Sequence, residues 1–145
     1  MNKILIINGP NLNLLGQREV GIYGTVTLDE INKNLAAEAA KNQVELDFFQ
    51  SNHEGEIVEK IQKAPDAFQL IIINPAAFTH YSIAIRDAIA SIDIPVIEVH
   101  LSNICARESF REKSITASVC LGQISGFGPL SYQIALDAAI KLLKK

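Results

Sequence analysis

The sequence has few cysteines, no excess of positive charge and no long apolar run, and each shortage excludes a class of protein. Its two cysteines, Cys105 and Cys120, stand in a chain of 145 residues. They have neither metal-ligand spacing nor the density of a disulfide scaffold, so a reducing compartment is expected. Cys105 has only His100 near it as a partner, and a small buried thiol is its expected role rather than a nucleophile. None of the three histidines pairs with another at the i, i+4 spacing of a helical zinc site, so no metal is expected. Thirteen Lys and Arg against sixteen Asp and Glu leave a net charge of −3, with the cations dispersed apart from a short Lys-rich C-terminus. Nucleic acid as the main partner wants a basic face and is excluded. Small anions are not, because a few arginines make a local positive site on an acidic protein. No apolar stretch approaches the roughly twenty residues of a membrane helix. Met1 and Lys3 run directly into Ile4-Leu5-Ile6-Ile7 with no tripartite signal pattern. A soluble, cytoplasmic chain is the expectation, and without linker, repeat or low-complexity segment it reads as one domain over residues 1–145.

What is present is an alternation of short apolar runs and longer amphipathic stretches, within a hydrophobic fraction of 48%. Strands are predicted at Lys3–Ile7, Val44–Phe49, Leu70–Ile73 and Pro95–Val99, with a weaker fifth at Ser118–Ile124. Leu70-Ile71-Ile72-Ile73 is too continuously apolar to have a solvated face and reads as central and parallel. Helices are predicted from Thr27 to about Lys41, opened by a capping box with Glu30, from about Gly55 to Lys63, from Tyr81 to Ala90, and after Gly128-Pro129. Ala64-Pro65-Asp66 ends the second of these. Gly9 to Gly24 reads as a long loop without period, the kind that serves as a lid or binding loop. Five βα units in a small α/β chain imply a flavodoxin-like, doubly wound, five-stranded parallel sheet with helices on both faces.

Ligands of such sheets bind beyond the carboxyl ends of the strands. There the sequence places Asn8-Gly9-Pro10-Asn11, Ser51-Asn52-His53, Asn74-Pro75 and His100-Leu101-Ser102-Asn103. Glu98 and His100 are two apart on a strand, so their side chains share a face. A carboxylate beside an imidazole fixes its tautomer and suits a general acid; the alternative is a structural histidine beside an exposed glutamate. In the long loop, Arg18 can hold Tyr23 as a phenolate, because a nearby guanidinium favours the charged form; alternatively the pair is a surface tyrosine and a solvated arginine. Arg107 and Arg111 are four apart, on one face if that segment is helical. They either clamp a carboxylate or phosphate or join Glu108 and Glu112 in a solvated charge cluster. Asn74 and His80 can each bind oxygen atoms or cap the helix that follows.

Taken together, these segments resemble the type II 3-dehydroquinate dehydratases nearly end to end. The resemblance rests on Asn8-Gly9-Pro10-Asn11-Leu12-Asn13-Leu14-Leu15-Gly16 with Arg18-Glu19 and Tyr23-Gly24, on Gln50-Ser51-Asn52-His53-Glu54-Gly55-Glu56, on Asn74-Pro75-Ala76-Ala77-Phe78-Thr79-His80, on Glu98-Val99-His100-Leu101-Ser102-Asn103 with Arg107-Glu108 and Phe110-Arg111, and on Gly122-Gln123-Ile124-Ser125-Gly126-Phe127-Gly128. Five segments in order at family spacing are specific where any one is weak. The resemblance implies cofactor-independent anti elimination of water from 3-dehydroquinate through an enolate, in the shikimate pathway to chorismate and the aromatic amino acids. By motif position it implies that Tyr23 is the base, held as phenolate by Arg18, and that His100 is the acid. Asn11 would stabilise the enolate oxygen through an ordered water. Asn74, His80, Arg111 and Leu101-Ser102 would bind the substrate's carboxylate and hydroxyls, with Glu98 and Arg107 in support. Asp87 would reach a neighbouring subunit's site in a dodecamer of four trimers. One departure is visible: family members often carry proline after the Arg-Glu pair, whereas Val20 and Gly21 follow here, which leaves the lid less rigid when open.

Two other readings compete. A lysine Schiff base could perform the same reaction, but a lysine must be desolvated at the site to serve, and only Lys113 is placed to try. A non-catalytic flavodoxin-like binding or signalling module would want a strand-end aspartate or a hydroxyl-rich phosphate loop, and Asn8, Asn74 and Gly9-Pro10-Asn11 occupy those positions instead.

Overall fold

The computed structural model describes residues 1–17 and 20–145, without the side chain of Tyr23. In chain order the elements are β1 (Asn2–Asn8), α1 (Val20–Tyr23), α2 (Leu28–Lys41), β2 (Val44–Gln50), α3 (Glu54–Lys63), β3 (Leu70–Asn74), α4 (Ile83–Ala90), β4 (Val96–His100), β5 (Gly122–Ser125) and α5 (Leu130–Leu143). All strand pairs are parallel, in the order β2-β1-β3-β4-β5. That is the doubly wound, flavodoxin-like order, with its switch point between β1 and β3.

The continuous apolar runs of β1 and β3 serve two cores at once, because a strand's pleat sends successive side chains to opposite faces. Ile4, Ile6, Leu70 and Ile72 pack with Leu35 of α2 and Leu136 of α5. Leu5, Ile7, Ile71 and Ile73 pack with Ile57 and Ile61 of α3 and Ile85 and Ile89 of α4. Both layers of helices are therefore demanded by strands that have no polar face to give to water. Helix α2 begins as its sequence implies: the Thr27 hydroxyl accepts the Glu30 N–H at 3.2 Å, satisfying one of the donors a helix start leaves over.

Three local expectations are corrected. The helix expected from Tyr81 starts at Ile83, because Ser82 is its N-cap, accepting the Ile85 N–H at 3.0 Å; residues Ala76–His80 form a 3-10 turn before it. The fifth strand is only Gly122–Ser125. Its expected first half is a 3-10 turn at Ala117–Val119, held where the Ser114 hydroxyl takes the Ala117 N–H. The long loop after β1 contains a 3-10 turn at Leu12–Leu14 and the short helix α1. Helix α3 ends at Lys63 as expected, and Ala64–Asp66 tighten into a 3-10 turn, which tolerates proline near its start. Among the described residues, no helix is long and apolar enough to cross a membrane.

Candidate active site

The strand ends lie level along one edge. Asn8 is opposite both Gln50 and Asn74, and His100 is opposite Ser125. Above β1, β3 and β4 a cleft opens. The loop after β1 lines it with Pro10, Leu12 and Leu15, and the loop after β3 with Asn74, Ala76 and His80. Beyond β4 the lining continues through His100, Leu101, Ser102, Ile104, Arg107 and Arg111. Asn74, His80, His100, Leu101, Ser102, Arg107 and Arg111, separated by up to 37 positions of sequence, thus meet at one place.

Behind His100 lies Glu98, with none of its surface exposed. It is not the exposed glutamate of the alternative reading. Its Oε2 accepts from His100 Nε2 at 2.8 Å, from the Ser114 hydroxyl at 2.7 Å and from Gln123 Nε2 at 3.0 Å. Its Oε1 accepts from the Thr116 hydroxyl. Burial pushes the carboxyl pKa up, but the His100 hydrogen bond and charge and the two hydroxyls outweigh it, leaving Glu98 below the usual carboxylate range. With Nε2 committed to an ionised carboxylate, the ring of His100 is fixed in orientation and its Nδ1 is left for chemistry.

His80 is oriented from the other side. Its Nδ1 donates to the Lys113 carbonyl at 2.8 Å. Partial burial lowers its pKa below 6.5, helped by the neighbouring Arg111 guanidinium, against the opposing pull of that carbonyl. The neutral ring then presents Nε2 to its surroundings as an acceptor. The exposed Lys113 thus serves through its backbone, and its amine has none of the desolvation a Schiff-base lysine needs.

Arg107 and Arg111 both line the cleft, but not as one helical face. The segment folds as two 3-10 turns, Ile104–Ala106 and Ser109–Arg111, with Arg107 extended between them. Asn103 opens the first by accepting the Cys105 N–H at 3.1 Å. That turn points Ile104 inward and leaves Cys105 exposed, not buried as expected. Glu108 approaches both guanidiniums, at 3.9 Å from Arg107 and 3.3 Å from Arg111, so a charge cluster is present while both arginines still line the cleft.

Other sequence candidates stand apart from the cleft lining. Asn11 is exposed in a left-handed conformation at φ 69°, and its N–H donates to Asn52 Oδ1 at 2.9 Å. Asp87 is exposed on α4. Arg18 and the Tyr23 side chain lie outside the described residues. Sequence reasoning missed the hydroxyls of Ser114 and Thr116, which nothing in their local sequence distinguishes. It also gave Gln123 no role, although the residue sits within a quoted segment. Tyr132, buried in α5, was read only as helix.

A family model described as dehydroquinase class II matches residues 2–140. The chain is 58% identical to the 3-dehydroquinate dehydratase of Bacillus mycoides (strain KBAB4), over all of this chain and 99% of that one. The crystal structure of type II dehydroquinase from Butyrivibrio crossotus DSM 2876 superposes with a TM-score of 0.93 at 49% identity, covering 94% of this chain and 96% of the other. A type II dehydroquinase from Propionibacterium acnes gives 0.93 at 39% identity, with 97% of each chain covered. This chain therefore belongs to the class II dehydroquinase family.

Proposed function

We propose that the protein dehydrates 3-dehydroquinate to 3-dehydroshikimate, in the cytoplasm, as a step of the shikimate pathway towards chorismate. The observation that carries the reading is the buried Glu98–His100 pair opening into a cleft that also holds two arginines and a half-buried His80. Arg111, with Arg107 beside it, suits the substrate carboxylate, since guanidiniums bind carboxylates with paired donors. Asn74, His80 and the Leu101-Ser102 segment suit its hydroxyls.

In this proposal the Tyr23 phenolate, held by Arg18, takes the C2 proton, and the electron pair moves into an enolate. Asn11 steadies the enolate oxygen through an ordered water. The pair then returns to form the C1–C2 double bond as the C1 hydroxyl leaves with a proton from His100 Nδ1, so that water and a conjugated enone are released. A moderately acidic proton alpha to a ketone needs both a strong base and donors arranged in advance for the enolate. The homo-oligomer belongs to the same proposal: a dodecamer of four trimers, with Asp87 reaching a neighbouring site. Exposed Phe110, Leu121, Phe127 and Leu130 offer apolar surface for such contacts.

The test is to add 3-dehydroquinate to the purified, chelator-treated protein and follow the ultraviolet absorbance of the enone. A rise is expected; a flat trace from folded protein would overturn the reading. Tyr23→Phe should reduce turnover by about 10³-fold or more while substrate still binds. Equal loss of binding and turnover would make Tyr23 a packing residue of the lid instead.

A further inference from the structure

Behind the cleft, three polar side chains from three elements form a relay closed to water. Asn8 ends β1 and is 1% exposed, Asn74 ends β3 and is 3% exposed, and Tyr132 in the first turn of α5 is 0% exposed. The Tyr132 hydroxyl donates to Asn8 Oδ1 at 2.6 Å and accepts from Asn74 Nδ2 at 3.0 Å. Tyr132 does not line the cleft; Asn74 does.

The direction of this relay has a chemical consequence. A phenol has one proton to give, and here Asn8 takes it. Towards Asn74 the oxygen is then only an acceptor, so it meets the NH₂ end of that amide and rejects the carbonyl end. The carbonyl end turns to the Ala76 N–H, which it accepts at 3.0 Å. Nδ2 has a second hydrogen, and Asn74 itself lines the cleft. Burial pushes the Tyr132 phenol pKa well up, so the group stays a neutral donor. An asparagine amide rotated end for end has the same shape and the opposite hydrogen bonds; here the Ala76 N–H holds the carbonyl end and the remote phenol holds the NH₂ end, so the two choose together.

We propose that Tyr132 is a positioning residue for substrate binding: from outside the cleft, its hydroxyl orients the Asn74 amide so that an N–H donor faces the substrate. The inference rests on the reading of 3-dehydroquinate as substrate and of Asn74 as one of its ligands. Asn74 then contributes binding that is alike in ground and transition states, and loss of its orientation appears in KM rather than kcat.

The experiment measures kcat and KM with 3-dehydroquinate for the wild-type protein, Tyr132→Phe, Asn8→Ala, Asn74→Ala and the Tyr132→Phe/Asn74→Ala double variant. Tyr132→Phe keeps the ring and its packing; its KM should rise about tenfold, the worth of one hydrogen bond of about 1.4 kcal/mol, with kcat within about threefold of wild type. Asn8→Ala frees the phenol proton to turn towards Asn74 and should raise KM in the same way, which keeps the test open if Tyr132→Phe does not fold. In the Asn74→Ala background, Tyr132→Phe should add less than about twofold, because its route of action is gone. Unchanged KM in both Tyr132→Phe and Asn8→Ala, or effects that simply multiply in the double variant, would overturn the inference while leaving the substrate reading intact. An inactive, folded wild-type protein would instead overturn the substrate reading, and this inference with it.

Discussion

A carboxylate taken wholly out of water survives as an ion only when its lone pairs are met by donors. Glu98 meets that condition with one imidazole, two hydroxyls and one amide, drawn from β4, from the segment before β5, and from β5 itself. The arrangement explains how an acidic residue can sit inside a sheet that is otherwise apolar at that level. Ala76 shows a different residue-scale compromise. It adopts φ 54°, a left-handed conformation that is strained for any side chain with a Cβ, and its N–H is the one that Asn74 Oδ1 accepts. Ala76→Gly should therefore stabilise the protein by about 1 kcal/mol, the relief at a positive φ outweighing the freer unfolded chain. Urea unfolding would register this as a higher midpoint at unchanged slope; a lower midpoint would mean that the methyl group's packing matters more than its strain.

At the scale of elements, the site is made by loops that cross one another closely. Gly9, at the end of β1, gives its N–H to the Asn74 carbonyl at 2.8 Å. A Cβ at Gly9 would stand 2.5 Å from the Pro75 carbonyl oxygen and 2.7 Å from its carbon. Both are backbone atoms, so no rotamer change can make room, and the turns after β1 and β3 would have to part. Gly9→Ala should cost about 2 kcal/mol of stability and most of the activity, since Pro10 and Asn74 line the cleft on either side of the gap. A variant that melts with wild type and turns over normally would show that these turns move apart freely. Gln50 and Asn52 tie the same region from β2: Gln50 Nε2 donates to the Gly9 carbonyl at 3.2 Å, and Asn52 takes the Asn11 N–H at 2.9 Å.

At the scale of the whole molecule, His80 and Glu98 tie stability to pH in the same direction. The fold holds His80 neutral, with a pKa below 6.5, and holds Glu98 ionised, below 4.5. Both folded values lie under the unfolded ones, so in acid the unfolded chain binds the extra protons. The contribution of His80 is complete above pH 6.5 and fades as pH falls towards its lowered value. That of Glu98 is complete above pH 4.5 and is lost only as pH drops through its own. Chemical denaturation across this range should show stability falling in that order. Glu98→Gln should be about 3 kcal/mol less stable near neutrality, because it breaks a buried pair. Its deficit should shrink in acid below pH 4.5, where wild type loses the same advantage; a deficit independent of pH would mean that shape, not charge, sets the cost.

Much of this was legible in the sequence, because strand order and layering follow from local pattern. Apolar runs as continuous as Leu70-Ile71-Ile72-Ile73 must be covered on both faces, and the polar residues at the strand ends must then share the one edge left to them. The pairing of Glu98 with His100 also followed, since residues two apart on a strand point the same way. What the sequence could not contain were relations between residues far apart in the chain. Ser114 and Thr116 look like ordinary loop residues until the chain returns them to Glu98. Tyr132 looks like a core position of α5 until its hydroxyl falls between Asn8 and Asn74, 124 and 58 residues away. Spacing put Arg107 and Arg111 on one face only on the condition of a helix, and two 3-10 turns stand there instead. Periodicity is a property of neighbours in sequence, and it determined the layers and the edge. Hydrogen bonds of buried polar groups are satisfied by whatever the fold brings near, so only the tertiary structure decided how the side chains at that edge are held and turned.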